Sequence, residues 1–207
     1  MNSYLIFRLF GVMSAWGEIA PAATRLTTNH PTKSGVLGMV SAALGLPRNE
    51  IINDSYNFAV LVHNSGTPMR DFHTIHIPTH DSTIISTRDY HCGAMYSIAL
   101  SIKDDAPYSL EEIKSALEEP VFTLFLGRKS CPLALPMEPK IIEAGDVEEA
   151  FNNCEFIGAS FVQTPRATAL YWDEPTHVGM ILLTRRDNLV NSERRQFTDR
   201  QEAYKCL

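Results

Sequence analysis

Residues 109–132, SLEEIKSALEEPVFTLFLGRKSCP, hold the boundary on which the reading of the fold turns. Ser109 and Glu112 stand three apart, the spacing of a capping box in which hydroxyl and carboxylate each satisfy an otherwise unpaired backbone N–H. Ile113 and Leu117 then fall on one face, and Pro120 ends the helix because it has no N–H and its ring clashes with the preceding turn. The next six residues, Val121 to Leu126, are rich in β-formers and predict a strand. GRKSCP leaves the end of that strand, with Arg128 and Lys129 side by side in a chain of formal net charge −6.

Working back from there, residues 3–10 (SYLIFRLF) alternate Leu5, Phe7 and Leu9 with Tyr4, Ile6 and Arg8, which predicts a strand with one apolar row on the core. Thr32 is an N-cap candidate for a helix carrying Val36, Leu37, Met39, Val40 and Leu44, which Gly45 and Pro47 close. Gly35 and Gly38 weaken that helix and imply a close approach to its first turn, either by the sheet or by an RNA backbone. Residues 57–63 and 94–102 predict two more strands. The order β, α, β, β, α, β is the ferredoxin-like (RRM-like) α+β arrangement.

The stretch at about 64–93 is too long for a hairpin loop and predicts a protruding arm with short pairings of its own. Residues 1–136 therefore read as one ferredoxin-like domain with an insertion, and 137–207 as a small β-rich C-terminal lobe. The lobe has a short helix at 146–151, strand-like runs at 168–172 and 178–184, and an end, QFTDRQEAYKCL, ambiguous between strand and tail.

Composition sets the class. With 44% hydrophobic and 20% charged residues, the 207-residue chain reads as an ordinary soluble protein. No apolar run reaches the roughly 18 residues of a membrane span, and the apolar start is interrupted by Arg8, so a cytoplasmic address and no membrane partner are expected. The four cysteines are scattered and read as reduced thiols, with no metal and no cofactor expected. Net acidity argues against indiscriminate nucleic-acid binding. The acids, however, gather on the predicted helices, while cations such as Arg25, Lys33, Arg70, Arg88, Arg128 and Lys129 lie in loops and at strand ends.

Three chemistries are readable in the side chains. PTKSG lacks both glycines of a phosphate-loop motif, but a helix N-terminus with Lys33 and Ser34 is still able to bind one phosphate. Trp16 and Tyr90 near Arg25 and Arg88 make the mixture of rings and cations that single-stranded RNA uses, with core packing as the equal alternative for Trp16. Tyr90, His91 and Lys129 are the types a metal-independent endoribonuclease employs, and a protein scaffold whose cations meet acidic partners is a third reading. His76 and His80 have i, i+4 spacing, but Pro78 between them opposes a helical metal pair.

The strings GVMSAWG, TRLT, PTKSGVLG, MRDFHT, TRDYHC and LGRKSCPL, in this order, resemble the CasD family, a subunit of type I-E CRISPR Cascade complexes; the match spans residues 3 to about 136 and fades beyond. The resemblance implies a ferredoxin-like core with a thumb-like insertion and a non-catalytic role. It implies binding of the crRNA 5′ handle, contacts to a backbone subunit and to the large PAM-reading subunit, and contact with target DNA only through the complex. Position by position, Arg25, Thr27, Lys33 and Ser34 match the motif along the handle. Arg128, Lys129 and Ser130 match the basic loop, and Arg88 with Tyr90 the base of the thumb. His91 and Gly93 depart from the family pattern, which more often has an apolar residue and an acid there.

Overall fold

Nine residues, Asn2–Phe10, form β1 at the heart of the molecule. Leu5, Phe7 and Leu9 are fully buried on one face as expected, but Ile6 and Arg8 on the other are buried too, so a second layer covers the opposite side. The computed structural model describes all residues except 19–22, 51, 53, 54, 78–81, 104, 158–161, 174–179, 192 and 195. Four two-residue strands follow β1: β2 (Met13–Ser14), β3 (Trp16–Gly17), β4 (Thr24–Arg25) and β5 (Thr27–Thr28). Then come α1 (Lys33–Ala43), β6 (Tyr56–Asn64), β7 (Thr67–Ile77), β8 (Ser82–Cys92), β9 (Met95–Ile102) and α2 (Leu110–Glu118). The last third holds β10 (Lys140–Ala144), α3 (Val147–Asn152), β11 (Ala169–Trp172), β12 (Ile181–Asn191) and β13 (Gln196–Cys206).

The main sheet has seven strands in the order β10-β1-β9-β6-β11-β13-β12, and every pairing is antiparallel. The chain is thus a mixed α/β protein dominated by antiparallel sheet with few helices. Helix α1 and helix α2 cover the face that carries Phe7, Phe58, Val60, Tyr96 and Ile98. Leu110, Ile113 and Leu117 of α2 are buried, contributing about 1.5–3 kcal/mol each. Its capping box is present in both directions, Ser109 Oγ accepting from the Glu112 N–H and the Glu112 carboxylate from the Ser109 N–H. Ile6, Ala59, Ala99, Leu170 and Trp172 form the second layer, with Ala150 and Phe151 of α3 packed on it. Arg8 on this face is ion-paired to Glu138 and lies 5.3 Å from the Phe156 ring.

The strand expected at 121–126 is absent, and this corrects the fold reading. Val121 and Phe122 are 66% and 52% exposed and hydrogen-bond through their N–H groups to the Ala43 and Ala42 carbonyls at the end of α1. Only Leu124 and Leu126 reach the core, and the sole pairing in the run is an isolated bridge from Phe125 to Pro132. The outer edge of β1 is taken by a later segment: Ala134 N–H donates to the Phe10 carbonyl, Arg8 N–H to the Met137 carbonyl, and β10 pairs from Ile6↔Lys140 to Asn2↔Ala144. β-propensity at 121–126 reported a run of which two leucines plug the core, not a ladder.

The arm between β6 and β9 is one long hairpin rather than a set of short pairings. β7 and β8 pair continuously from Thr67↔Cys92 to Ile77↔Ser82, a length of about 36 Å at the usual rise. At its base β8 also pairs with β2 through His91 and Cys92 and with β4 through Thr87 and Arg88. Farther out Phe72, Ile84 and Ile85 are exposed. The ambiguous terminal stretch is strand β13, and β11, β13 and β12 extend the same sheet beyond β6. Among the described residues no helix is long and apolar enough to cross a membrane.

Candidate functional site

Gly127 opens the basic loop with φ +81°, and a Cβ there would stand 1.8 Å from the Ala15 carbonyl oxygen, so only glycine fits. Leu126 N–H donates to the Cys131 carbonyl at 2.7 Å and Cys131 N–H to the Arg128 carbonyl at 2.8 Å, closing the loop on itself. Ala15 N–H donates to the Leu126 carbonyl at 3.0 Å and ties the loop to the segment between β2 and β3. Cys131 is fully buried, and burial pushes its thiol up, away from nucleophilic use. Lys129 and Ser130 are exposed at the loop's crest.

Arg128 turns the other way. Its Nη1 donates to the Asp89 carbonyl at 2.9 Å and its Nη2 to the Arg25 carbonyl at 2.9 Å, while the guanidinium lies 4.7 Å from the centre of the Tyr90 ring. Tyr90 is 3% exposed beneath it. The two residues expected to present a cation and a stacking ring to RNA are therefore engaged with each other.

Two more expectations are corrected by burial, and a third, for Thr27, by internal hydrogen bonds. Trp16 is 0% exposed, edge-on to Tyr96 at 6.3 Å, so it offers no face to a base. The close approach implied by Gly35 is made by this ring and by Thr32 Oγ1, which a Cβ would meet at 3.3 Å and 2.8 Å. Thr27 Oγ1 accepts from the Trp16 N–H at 2.7 Å and donates to the Thr28 carbonyl at 3.2 Å, an internal brace. Lys33 is 2% exposed with its ammonium 2.5 Å from Asp173, and its N–H donates to Asp187 at 2.8 Å. The α1 N-terminus, read as a phosphate seat, already holds a carboxylate from β12.

That carboxylate belongs to a buried ionic layer joining α1 to the last strands. Arg200 donates to Asp187 at 2.6 Å, Asp173 at 2.7 Å and Glu202 at 2.7 Å. Arg185 reaches Glu202 at 3.0 Å, and His30, stacked 3.8 Å from Tyr171, lies 3.1 Å from Glu202. Burial lowers the His30 pKa, so the ring is neutral near pH 7. Burial would raise the Glu202 carboxyl, but the His30 hydrogen bond and the adjoining cations bring it down to about 2. Nothing in the sequence signals this layer, whose members are up to 172 positions apart.

What remains at the surface is a smaller group. Arg25 of β4 and Arg88 of β8 are registered side by side in a parallel pairing, Arg25 exposed and Arg88 half-buried with its Nε lacking a hydrogen-bond partner among the described residues. Like charges in register repel, and Asp71 of β7, registered with Arg88 on its other side, is the one carboxylate in the row of described residues, leaving a net positive charge. Ser34, half-buried, lines a groove of about 850 Å³ between α1, the 122–127 run and β12, with Arg48 and Arg186 also at its wall. Arg48 and Arg186 were not among the residues expected at a site.

The endoribonuclease trio does not assemble. Tyr90 and His91 are neighbours on β8 and so point to opposite faces of the hairpin. Both are buried, at 3% and 8% exposure, while Lys129 stands outside on the loop. His80 lies outside the described residues.

Comparison with known proteins converges on one family. Residues 4–201 match the family model described as CRISPR-associated protein (Cas_Cas5). The chain is 32% identical over 222 aligned residues, 97% of this chain and 95% of the relative, to the CRISPR system Cascade subunit CasD of Escherichia coli (strain K12). A chain of a solved CRISPR RNA-guided surveillance complex superposes with TM-score 0.75 at 23% identity, covering 98% of this chain and 89% of that one. A crystal structure of a Cas protein gives TM-score 0.74 at 24% identity, covering 99% and 94%. With a family model across nearly its whole length and a CasD relative over almost all of both chains, this chain belongs to the CRISPR-associated Cas5 family.

Proposed function

We propose that the chain is a non-catalytic, guide-RNA-holding subunit of a type I-E CRISPR surveillance complex in the cytoplasm, seated on the 5′ handle of the crRNA. The observation that carries this reading is the registered pair Arg25 and Arg88 beside the exposed Lys129, two like charges and a third cation that an RNA backbone would neutralise. The order β10-β1-β9-β6, with α1 and α2 on one face, supports a ferredoxin-like core in which β10 takes the fourth place. The β7–β8 hairpin, at about 64–93, is the thumb-like insertion. Its exposed apolar residues Phe72, Ile84 and Ile85 and the edges of the sheet face the backbone subunit and the large PAM-reading subunit, and DNA is reached only through the guide.

Membership of a family whose relative is named a Cascade subunit supports the assembly, and the separation of Tyr90 from His91 supports a binding role over RNA cleavage. The test is co-expression with the other surveillance subunits and a repeat-spacer RNA. The expected result is co-purification of the chain with intact RNA, reduced by Arg25→Ala combined with Lys129→Ala while the fold is retained. Assembly that is unchanged by the double variant, or a discrete RNA cut by the isolated chain in chelator, would reject the reading.

A further inference from the structure

The basic loop carries two adjacent cations that sequence alone treats as one RNA clamp, but the structure separates them. We infer that Arg128 is a positioning residue that holds the RNA-facing segments at a fixed spacing and does not itself neutralise phosphate. This deepens the proposed RNA-binding reading and rests on it. β8 pairs with β4 as far as Arg88 and with β2 from His91 onward, so Asp89 and Tyr90 lie in the gap between two short neighbours. The Arg128 guanidinium occupies that gap. It donates to the Asp89 carbonyl on β8 and to the Arg25 carbonyl at the end of β4, and lies over the Tyr90 ring.

The side chain thereby joins three pieces of chain distant in sequence: β4 with Arg25, β8 with Arg88, and the loop with Lys129. β8 is held by its long pairing with β7, but β4 is only two residues long and the loop is held by a few backbone hydrogen bonds, so their placement against β8 depends on this joint. A planar fork with several donors and a face for stacking suits this role, and an ammonium cannot reproduce it. Removing the joint would let Arg25, Arg88 and Lys129 drift relative to one another, and affinity built on preorganised spacing would fall.

Salt dependence separates a joint from a phosphate contact. Full-length protein is titrated with a labelled single-stranded RNA of the repeat's 5′-handle sequence over a range of salt concentrations. Lys129→Ala is expected to flatten the slope of log affinity against log salt by about 0.7, the contribution of one phosphate contact. Arg128→Ala is expected to weaken binding about tenfold at every salt, with the slope unchanged. Arg128→Lys is expected to restore neither the affinity nor the order of the hairpin base. Amide exchange without RNA provides the second measurement: Arg128→Ala should speed exchange at Thr87 and Arg88 while β1, β6 and β9 stay protected.

A slope that falls by about 0.7 in Arg128→Ala and recovers in Arg128→Lys would overturn the inference in favour of a direct phosphate contact. Unchanged exchange at the hairpin base would overturn it as well, even if Arg128→Ala bound RNA poorly. Parent protein without salt-dependent RNA binding would instead remove the RNA reading, and the exchange comparison would still decide whether Arg128 is a joint.

Discussion

At the scale of the residue, two glycines in equivalent-looking motifs have opposite duties. Gly127 has a left-handed φ and no room for a Cβ, whereas Gly38 is a helical position around which a Cβ would meet nothing within 4 Å. Gly127→Ala is therefore expected to lower stability by about 3 kcal/mol or more, combining backbone strain with displacement of the Ala15 carbonyl, as a fall in urea midpoint. Gly38→Ala is expected to raise stability by about 0.5–1 kcal/mol through helix propensity, as a rise in the same midpoint. The sequence singled out Gly38 and passed over Gly127, because the segment alone does not tell a steric requirement from an open surface. Its cations were misread for a related reason: Lys33 and Arg128 look solvent-facing in their own segments, and only distant carboxylates and carbonyls turn them inward.

At the scale of the element, local signals were reliable wherever the stabilising partner is also local. The Thr32 and Ser109 caps, the apolar faces of α1 and α2, and strands β1, β6 and β9 sit where the pattern placed them. The 121–126 run failed because its fate is set by competition: the chain from Ala134 to Ala144 satisfies the β1 edge, leaving only Leu124 and Leu126 of the run to plug the core. Helix α1 shows the same dependence on remote partners. Asp187 accepts both the Lys33 N–H and the Arg200 guanidinium. Asp187→Ala leaves Arg200 without one of its carboxylates in a buried setting, so a loss of about 3–5 kcal/mol is expected. Denaturant unfolding would measure it, and a loss below about 1 kcal/mol would mean that the layer contributes only as a surface ion pair does.

At the scale of the whole molecule, the buried ionic layer gives the fold a pH dependence of definite sign. His30 and His63 both titrate below the ordinary 6.5 because burial disfavours the cation, His63 also bonding to the Pro165 carbonyl. Unfolded chains bind protons at these rings first, so stability falls as pH drops below about 6.5. Glu202, held down to about 2, adds a second loss as pH falls below its ordinary 4.5. Urea unfolding at pH 7.5, 6.5, 5.5, 4.5 and 3.5 should show both phases, and His30→Gln should flatten the first without abolishing it. A constant stability from pH 7.5 to 5.5 would contradict this assignment. The same layer also dictates an order of events during synthesis. Helix α1 emerges from the ribosome with a lysine destined for the interior, yet Asp173, which pairs with its ammonium, and Asp187, which accepts its N–H, are translated 140 and 154 positions later. The open edge of β6 likewise waits for β11. Contacts of such separation close slowly, so the nascent chain displays an unmatched edge and an apolar face for most of its translation. Docking of α1 must be a late step, completed only after β12 has left the ribosome.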